Sequence, residues 1–321
     1  MAYQRYAFAQ PTRRDVRPVN PVLTTLSIGF KNDHFLWDMI APPASQSQQT
    51  GTYFIYLREF WFRRQEGAER APSGAYTRVG YGVTTATYNC QEIGFEKVTG
   101  DATKAASQTP EDLGVLDTQF LTNLIQLELE KRVSAAAFVT GVWGTSNTLT
   151  GVNQWSDFAN SDPIANSQTA IRTILRNTGA KPNTLFVGLL GWEKLAEHPL
   201  VLDKYKHTQV GVMTPQLVAA VLGVENLIVG DSVENTAAEN LTFTGADIWT
   251  DNALFLVKNN QALGVANGAY TFMWDERGNV PWAVEDYRDE PVRSDVTRVF
   301  THIDPQIVSS QHGYLFLDCV A

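Results

Sequence analysis

The first candidates for chemistry are the histidines, because an imidazole can bind a metal ion or move a proton near neutral pH. His198 and His207 lie close together, with Asp203 between them. Their spacing fits no common zinc motif, and Pro199 interrupts the helix that would bring them onto one face. We therefore expect solvated or helix-capping side chains here, and we predict no metal site.

Adjacent carboxylates are the second candidates for acid–base chemistry. Asp275-Glu276 and Glu285-Asp286 are such pairs. Neighbouring side chains on a strand point to opposite faces, so neither pair suits a shared proton transfer, and a solvated edge is the better interpretation. The sequence also lacks a complete dinucleotide glycine fingerprint, a Walker-type phosphate loop and a Gly-x-Ser-x-Gly elbow. These observations predict no catalytic residue, no cofactor and no enzymatic activity.

Composition narrows the classes of partner. Of the 321 residues, 44% are hydrophobic and 11% aromatic, and 25 basic against 34 acidic side chains give a net charge of −9. A surface that grips phosphates along its length needs more cations than this. Cys90 and Cys319 lie far apart, which predicts reduced thiols. No apolar run approaches the ~20 residues of a membrane span and the N-terminus lacks a signal sequence, so we expect synthesis in the cytoplasm and no membrane partner.

The element that organises the chain is one long helix, predicted over residues 110–140. Thr109 is a candidate N-cap, Pro110 suits the first turn, and Gly141 is the stop signal. At ~1.5 Å per residue the helix is about 40 Å long, which suits a spine joining two ends of a molecule; the long core helix of an ordinary enzyme is the alternative. An apolar stripe follows it at spacings of three or four, formed by Leu113, Leu116, Phe120, Leu124 and Leu127.

Two segments before this spine cannot form cores of their own. Residues 1–44 are interrupted by prolines yet rich in aromatic side chains, so we predict an extended arm that lies on its own domain or on a neighbouring copy. Residues 45–90 predict a long two-stranded excursion with strands at 52–57 and 81–88 and a turn-rich tip. A lone hairpin is marginal in water, so this one needs another copy or its own domain to lie against.

Beyond the spine, helices and strands alternate between residues 163 and 275, which is typical of a compact α/β lobe. Asp162 and Pro163 begin one helix and Gly179 ends it. The other predicted elements are strands at 184–187, 227–229, 248–249, 253–257 and 270–274 and short helices at 192–197 and 215–222. The last two predicted strands, 296–303 and 314–320, are expected to form an antiparallel pair in the layer of the spine.

Several stretches resemble the major capsid proteins of tailed bacteriophages, a family whose shell-forming fold is shared with encapsulins and the capsid floor of herpesviruses. The similarity covers about residues 20–321 and lies in the order of its motifs. These are Leu26–Asp33, Ile40–Pro43, Arg70–Pro72, Gly141–Gly144, Gln154–Asp157, Pro182–Leu185 and Trp192–Pro199.

The resemblance implies an α+β fold with four parts. These are an N-terminal arm (1–44), an extended β-hairpin loop (45–90), a peripheral domain (91–162 and 291–321) around the spine helix 110–140, and an α/β axial domain (163–290). Some members of the family cross-link covalently through a lysine of the extended loop. Here no lysine lies between Lys31 and Lys97, so we expect non-covalent cohesion.

The resemblance also implies a structural function, located in the virion. Copies would assemble as hexamers and pentamers into an icosahedral shell that encloses double-stranded phage DNA without sequence-specific binding, and scaffolding, portal and decoration functions would belong to separate chains. An encapsulin-like compartment for protein cargo is the alternative, and an oligomeric enzyme with its site in the axial lobe is a distant one. The side chains expected between copies are Phe30, Trp37, Tyr53, Tyr56, Arg58, Phe60, Trp61, Phe62, Arg63, Arg64, Arg70 and Tyr81.

Overall fold

The computed structural model describes residues 35–70, 72, 74–106, 110–205, 213–239, 241–258, 267–275 and 282–321. Most of the predicted arm lies outside these residues, and with it Phe30. Thr109, His207 and Glu276 lie outside them as well. The described part combines helices with mostly antiparallel sheets, which confirms the predicted α+β class.

The helices begin and end close to the predicted capping residues where such residues exist. They are α1 (Trp37–Ile40), α2 (Arg58–Trp61), α3 (Asp101–Ala106), α4 (Pro110–Ala137), α5 (Pro163–Thr178), α6 (Leu189–Glu197), α7 (Pro199–Tyr205) and α8 (Pro215–Leu222). Short 3₁₀ turns cover Gly151–Asn153 and Ser310–His312.

The strands form two larger sheets and two hairpins. They are β1 (Pro43–Gln46), β2 (Thr50–Tyr56), β3 (Val83–Asn89), β4 (Gln91–Gly100), β5 (Thr145–Thr148), β6 (Thr184–Gly188), β7 (Asn226–Gly230), β8 (Val233–Asn235), β9 (Gly245–Asp247), β10 (Ala253–Leu256), β11 (Ala269–Trp274), β12 (Ala283–Asp289), β13 (Ser294–Ile307) and β14 (Gly313–Leu317). The spine sheet has the order β1-β11-β13-β12, and β4 also pairs with β13. The lobe sheet has the order β5-β14-β10-β6-β7, and β2–β3 and β8–β9 pair separately.

Helix α4 is the predicted spine, and it packs across β13 and β4 of the spine sheet. It ends at Ala137, a few residues before the predicted end. The chain then turns through Gly141, which has a φ of +84°, a left-handed conformation that glycine adopts without the strain of a Cβ.

The face of α4 that is buried differs from the predicted apolar stripe. Leu116 and Phe120 are 56% and 54% exposed, whereas the core receives a set shifted around the helix: Leu121, Ile125, Leu129, Val133 and Ala137. Polar residues complete the buried face, because Thr118 donates to the carbonyl of Gly114 and Thr122 to the carbonyl of Thr118. A hydrophobicity pattern misses positions at which a local hydrogen bond satisfies a buried hydroxyl.

The lobe sheet and its helices follow the predicted order. At the start of α5 the carboxylate of Asp162 accepts the backbone N–H of Ala165 at 2.9 Å, and at its end Gly179 has a φ of +70°. Strands β6 and β7 run parallel, from Thr184 beside Asn226 onwards. The predicted capping signals therefore act where the sequence places them.

Two predicted strand assignments are wrong. The closing strands do not pair with each other: β13 belongs to the spine sheet and β14 to the lobe sheet, where it lies between β10 and β5. Residues 248–249 are not a strand; Ile248 and Trp249 follow β9 and are buried in the core. Strand pairing over long sequence distances is not encoded in local periodicity, which explains both errors.

Candidate assembly surfaces

The extended loop, residues 45–90, is a hairpin with its base fixed to its own chain. Residues 50–56 of β2 pair antiparallel with residues 83–89 of β3. At the base, the ring of Tyr88 stacks on the ring of Phe272 of the spine sheet, with 4.8 Å between centroids. The ends of the loop are therefore anchored, and its middle must find other contacts.

The middle of the loop turns large side chains to solvent. Tyr76 is 74% exposed, Phe54 64%, Tyr81 63% and Phe62 60%. We call this surface the loop face; its members are Phe54, Tyr56, Phe60, Phe62, Tyr76, Val79, Tyr81 and Val83. Large exposed apolar side chains in this number on one hairpin are typical of a site that another molecule covers.

The structure places many of the predicted contact residues on this exposed part of the loop. The exposed ones are Tyr56, Arg58, Phe60, Phe62, Arg63, Arg64, Arg70 and Tyr81. Arg58 Nη1 donates to Gln311 Oε1 of the same chain at 3.1 Å, and the guanidinium of Arg70 lies 4.4 Å from the centre of the Tyr76 ring. Exposure makes these side chains available to a neighbour; that they contact one stays a prediction.

The remaining predicted contact residues do not join this set. Trp37 is buried in the core beside α4, so the prediction that it contacts another copy is corrected: its ring is already covered by its own chain. Tyr53 is half-buried, with its ring 5.3 Å from that of Phe272. Phe30 and the side chain of Trp61 lie outside the described residues.

A second exposed apolar surface lies on the outer side of α4. We call it the spine face; it consists of Leu116 and Phe120 on the helix and Phe95 on β4, which is 39% exposed. Lys97 of β4 lies over the Phe120 ring at 5.9 Å and also forms an ion pair with Asp117. Two members of the predicted apolar stripe, Leu116 and Phe120, thus lie on the surface, whereas Leu127 packs against the core. The loop face is therefore not the sole uncovered apolar area of the described residues.

A carboxylate that the sequence analysis missed joins three parts of the molecule. Glu130 of α4 is fully buried and accepts the backbone N–H groups of Leu36 (3.0 and 2.9 Å) and Trp37 (2.7 Å), the hydroxyl of Ser232 (3.0 Å) and the indole N–H of Trp249 (2.6 Å). Burial raises the pKa of Glu130, and the donated hydrogen bonds oppose that shift. The sequence signal for Glu130 is an acidic residue directly after Leu129, within the predicted spine helix.

Glu130 also holds the start of helix α1 against the spine helix. Its carboxylate accepts the backbone N–H groups of Leu36 and Trp37 and so caps the N-terminal end of α1. The described part of the predicted arm, from Phe35 onwards, is therefore held against the spine helix by these hydrogen bonds and by the burial of Trp37.

Two serine–histidine contacts occur in the described residues: Ser309 with His312, at 2.6 Å, and the buried pair Ser161 and His198. The backbone N–H of Leu200 donates to Nδ1 of His198 at 3.2 Å, so Nε2 carries the proton and donates to Ser161 Oγ at 3.0 Å. Ser161 in turn donates to the carbonyl of Asp157. A nucleophilic serine must donate to its histidine, and this network runs the opposite way, as expected of a structural contact.

The two cysteines are protected from reaction by burial. Cys90 and Cys319 are free and buried, and burial raises the pKa of the Cys90 thiol to about 11 and that of Cys319 well above its usual value. Within the described residues, no group of His, Cys, Asp and Glu side chains could hold a metal ion. In that same part of the chain, every helix is too short or too polar to cross a membrane.

Comparison with known proteins gives relatives of one kind. No protein-family model matches the chain. The chain is 26% identical over 309 residues to the major capsid protein of Burkholderia phage BcepMu, covering 94% of this chain and 96% of that one. It is 24% identical over 319 residues to the major capsid protein of Pseudomonas phage JBD67, covering 95% and 98%.

Solved structures agree on the fold. A phage-related protein from Bordetella bronchiseptica matches with a TM-score of 0.75 and 20% identity, over 94% of this chain and 98% of that one. The capsid of cyanophage P-SCSP1u matches with a TM-score of 0.58 and 11% identity, over 97% and 93%. A virus-like particle from Pyrococcus furiosus matches with a TM-score of 0.53 and 10% identity, over 92% and 95%. The chain therefore has the fold of phage capsid proteins and is similar to phage major capsid proteins over nearly its whole length.

Proposed function

We propose that this chain is the major shell-forming subunit of a tailed phage. Copies assemble as hexamers and pentamers and close an icosahedral shell around double-stranded DNA, so that the protein resides in the virion. The observation that carries this proposal is the loop face: an anchored hairpin exposes aromatic side chains that its own domain does not cover. The similarity to two phage major capsid proteins supports it.

The driving force of assembly is the burial of apolar surface between copies. A permanent subunit contact buries ~2,000 Å² or more, and aromatic side chains are the usual anchors of such contacts. Phe54, Phe62, Tyr76 and Tyr81 provide these anchors on the loop, and Leu116 with Phe120 provides a further apolar surface on the spine. Both surfaces are uncovered in a single chain, and covering them stabilises the assembled state.

The shell encloses the DNA without binding it tightly. A net charge of −9 gives the subunit too few cations for dense phosphate contacts, which dominate the affinity of DNA-binding proteins. This charge suits a wall that surrounds DNA without sequence-specific binding. Scaffolding, portal and decoration proteins, where the assembly requires them, are separate chains.

Deletion of residues 53–85 tests the proposal. The expressed wild-type chain is expected to form closed particles under negative-stain electron microscopy, whereas the deletion variant elutes as a soluble monomer, since it lacks the loop face. Particles of normal size formed by the deletion variant would contradict the proposal. A purified wild-type chain that remains a small oligomer and binds a small molecule would instead support an enzyme.

A compartment for protein cargo is the second candidate function. The similarity in fold to the Pyrococcus furiosus particle favours it. The two functions differ in contents, not in the wall, so the nucleic acid and protein extracted from purified particles distinguish them. Phage particles are expected to contain DNA, and neighbouring genes are expected to encode a portal and a terminase. A single neighbouring enzyme gene and protein cargo would favour the compartment.

A further inference from the structure

The two ends of the lobe sheet carry opposite charges. Strands β6 and β7 are parallel and in register from Thr184 beside Asn226 to Gly188 beside Gly230. The C-terminus of α5 leads into the first end of this pair, and the β8–β9 hairpin follows directly from the second. Five residues of strand separate the two ends by about 15 Å. They are thus opposite poles of one rigid lobe.

The first pole is basic with an apolar centre. The Phe62 ring packs beside Gly179, where an added Cβ would lie 3.0 Å from it, and Leu175 of α5 is 45% exposed. Arg63, Arg176 and Lys181 are close to these residues in the sequence; all three are exposed, and none forms an ion pair with an acid of the described residues. We call these five side chains the basic pole; they are Phe62, Arg63, Leu175, Arg176 and Lys181.

The second pole is acidic with an apolar centre. Leu241 is 70% exposed, Phe243 67% and Val233 54%. Glu239 and Asp247 lie on the same hairpin, and neither forms an ion pair with a described residue. We call these five side chains the acidic pole.

An ion pair holds the acidic pole in place. Glu234 of β8 accepts from Lys131 of the spine helix at 2.6 Å, and β9 leads into Ile248, whose carbonyl accepts the hydroxyl of Ser134 at 3.1 Å. Both contacts tie the base of the hairpin to the long helix. The exposed tip is therefore presented on a fixed support and not on a free loop.

We propose that the basic pole of one copy binds the acidic pole of the next. This inference rests on the proposed function and names the surfaces that meet within a ring of subunits. Opposite charge around two apolar centres is the arrangement that favours one partner and one orientation. Because the poles differ and lie at opposite ends of the lobe, the contact is head-to-tail, and such contacts generate rings when the rotation closes.

A second copy fits the basic pole better than a nucleic acid does. Leu175 and Phe62 give the basic pole an apolar centre that a phosphate backbone cannot cover. The chain carries its own matching acids at the other pole and a net charge of −9, so copies repel each other unless cations and acids are brought together. The contact offsets that repulsion and sets the direction of the ring.

Charge reversal at each pole tests the proposal. Arg176→Glu/Lys181→Glu gives a chain with two acidic poles, and Glu239→Lys/Asp247→Lys gives one with two basic poles. Each variant is expected to lose particle formation while its unfolding curve stays close to that of the wild type, because Arg176, Lys181 and Glu239 are exposed and Asp247 is half-buried without an ion pair to a described residue. The quadruple variant, which exchanges the two charges, is expected to recover particles.

Mixing the two double variants sharpens the test. In an alternating ring, every contact again joins an acidic to a basic pole. We therefore expect rings with an even number of subunits and no pentamers under electron microscopy, and loss of these rings at high salt because the pairing is electrostatic. The control for altered net charge is Glu197→Lys/Glu290→Lys, at side chains that are 64% and 78% exposed and outside both poles. It is expected to assemble normally.

Two results would overturn this inference. Normal particles from both double variants would show that the poles do not meet, and the proposed shell function would still stand. Normal particles that contain less DNA in the Arg176→Glu/Lys181→Glu variant would show that the basic pole faces nucleic acid instead. Failure of the wild-type chain to assemble would contradict the proposed function itself, so the two failures are distinguishable.

Discussion

The site around Glu130 and the loop face differ in whether the chain covers its own side chains. Around Glu130, every donor points inward to one buried carboxylate, and the chain covers its own polar and apolar groups. On the loop face, aromatic rings are left largely exposed on a hairpin whose base packs against the spine sheet. The difference teaches that folding and assembly use separate surfaces, so that each can be damaged while the other remains intact.

Glu130→Ala is expected to cause the largest loss of stability. It leaves the N–H groups of Leu36, Trp37 and Trp249 and the Ser232 hydroxyl buried without their acceptor, at a cost of about 3–5 kcal/mol in the free energy of unfolding. Urea denaturation measures this cost. Glu128→Ala is the control. Glu128 lies two residues before Glu130 on the same helix and is partly exposed, so its removal should change the free energy of unfolding little.

If Glu130→Ala unfolds at the same urea concentration as the wild type, the carboxylate does not join the arm, spine and lobe. The site around Glu130 would then not be a region that stabilises the fold, and its contrast with the loop face would be lost. The free energy of unfolding of Glu130→Gln should lie between those of Glu130→Ala and the wild type. The amide keeps one acceptor oxygen, but its NH₂ group faces other donors.

Substitutions on opposite faces of α4 separate stability from assembly. Leu121→Ala empties a fully buried position and is expected to cost about 2–5 kcal/mol in the free energy of unfolding. Phe120→Ser, at a side chain 54% exposed, should leave that free energy within about 0.5 kcal/mol of the wild type but weaken particle formation. Denaturation curves and particle yields, measured on both variants, give the contrast; equal loss of stability would mean that α4 buries both faces.

The acid stability of the folded chain is expected to depend on two histidines, the buried His198 and the half-buried His312. Burial lowers the pKa of His198 from its usual 6.5, with Asp162 opposing, and burial lowers the pKa of His312 as well. In the unfolded chain these histidines keep their usual pKa of 6.5. Below that pH the unfolded chain therefore binds protons that the folded chain does not bind. The stabilising contribution is therefore complete above pH 6.5 and is lost as the pH falls towards the lowered folded value.

Urea denaturation between about pH 7.5 and pH 5 measures this effect, which has a limiting slope of about 1.4 kcal/mol per pH unit for each histidine. His198→Gln removes one titrating group and should flatten the slope relative to the wild type. An unchanged slope would show that His198 is protonated freely in the folded chain.

The sequence predicts those elements that carry their own local signals. Asp162 and Gly179 bound α5 as expected, Pro110 and the apolar repeat predict α4, and the β-rich stretches around Phe54 and Tyr81 predict the hairpin. Each of these follows from a cap, a period or a propensity that a short window contains.

Several of the failures involve contacts between distant parts of the chain. Glu130 reads as a surface residue until Trp249 and Leu36 are brought to it, and Trp37 reads as an exposed anchor until α4 covers it. The β8–β9 hairpin was missed because its strands are only three residues each. Burial and pairing of this kind depend on tertiary packing, which overrides local propensity.

The loop face gives the smallest expected change in folding and the most direct test of the account. Phe54→Ser/Tyr81→Ser removes two rings that are 64% and 63% exposed, and Val152→Ser/Leu200→Ser removes two exposed side chains elsewhere as a matched control. Sedimentation velocity, run beside urea denaturation, should show particles for the wild type and the control and monomers for the loop variant, with all three unfolding alike. Particles from the loop variant in normal yield would contradict the claim that uncovered loop aromatics drive assembly.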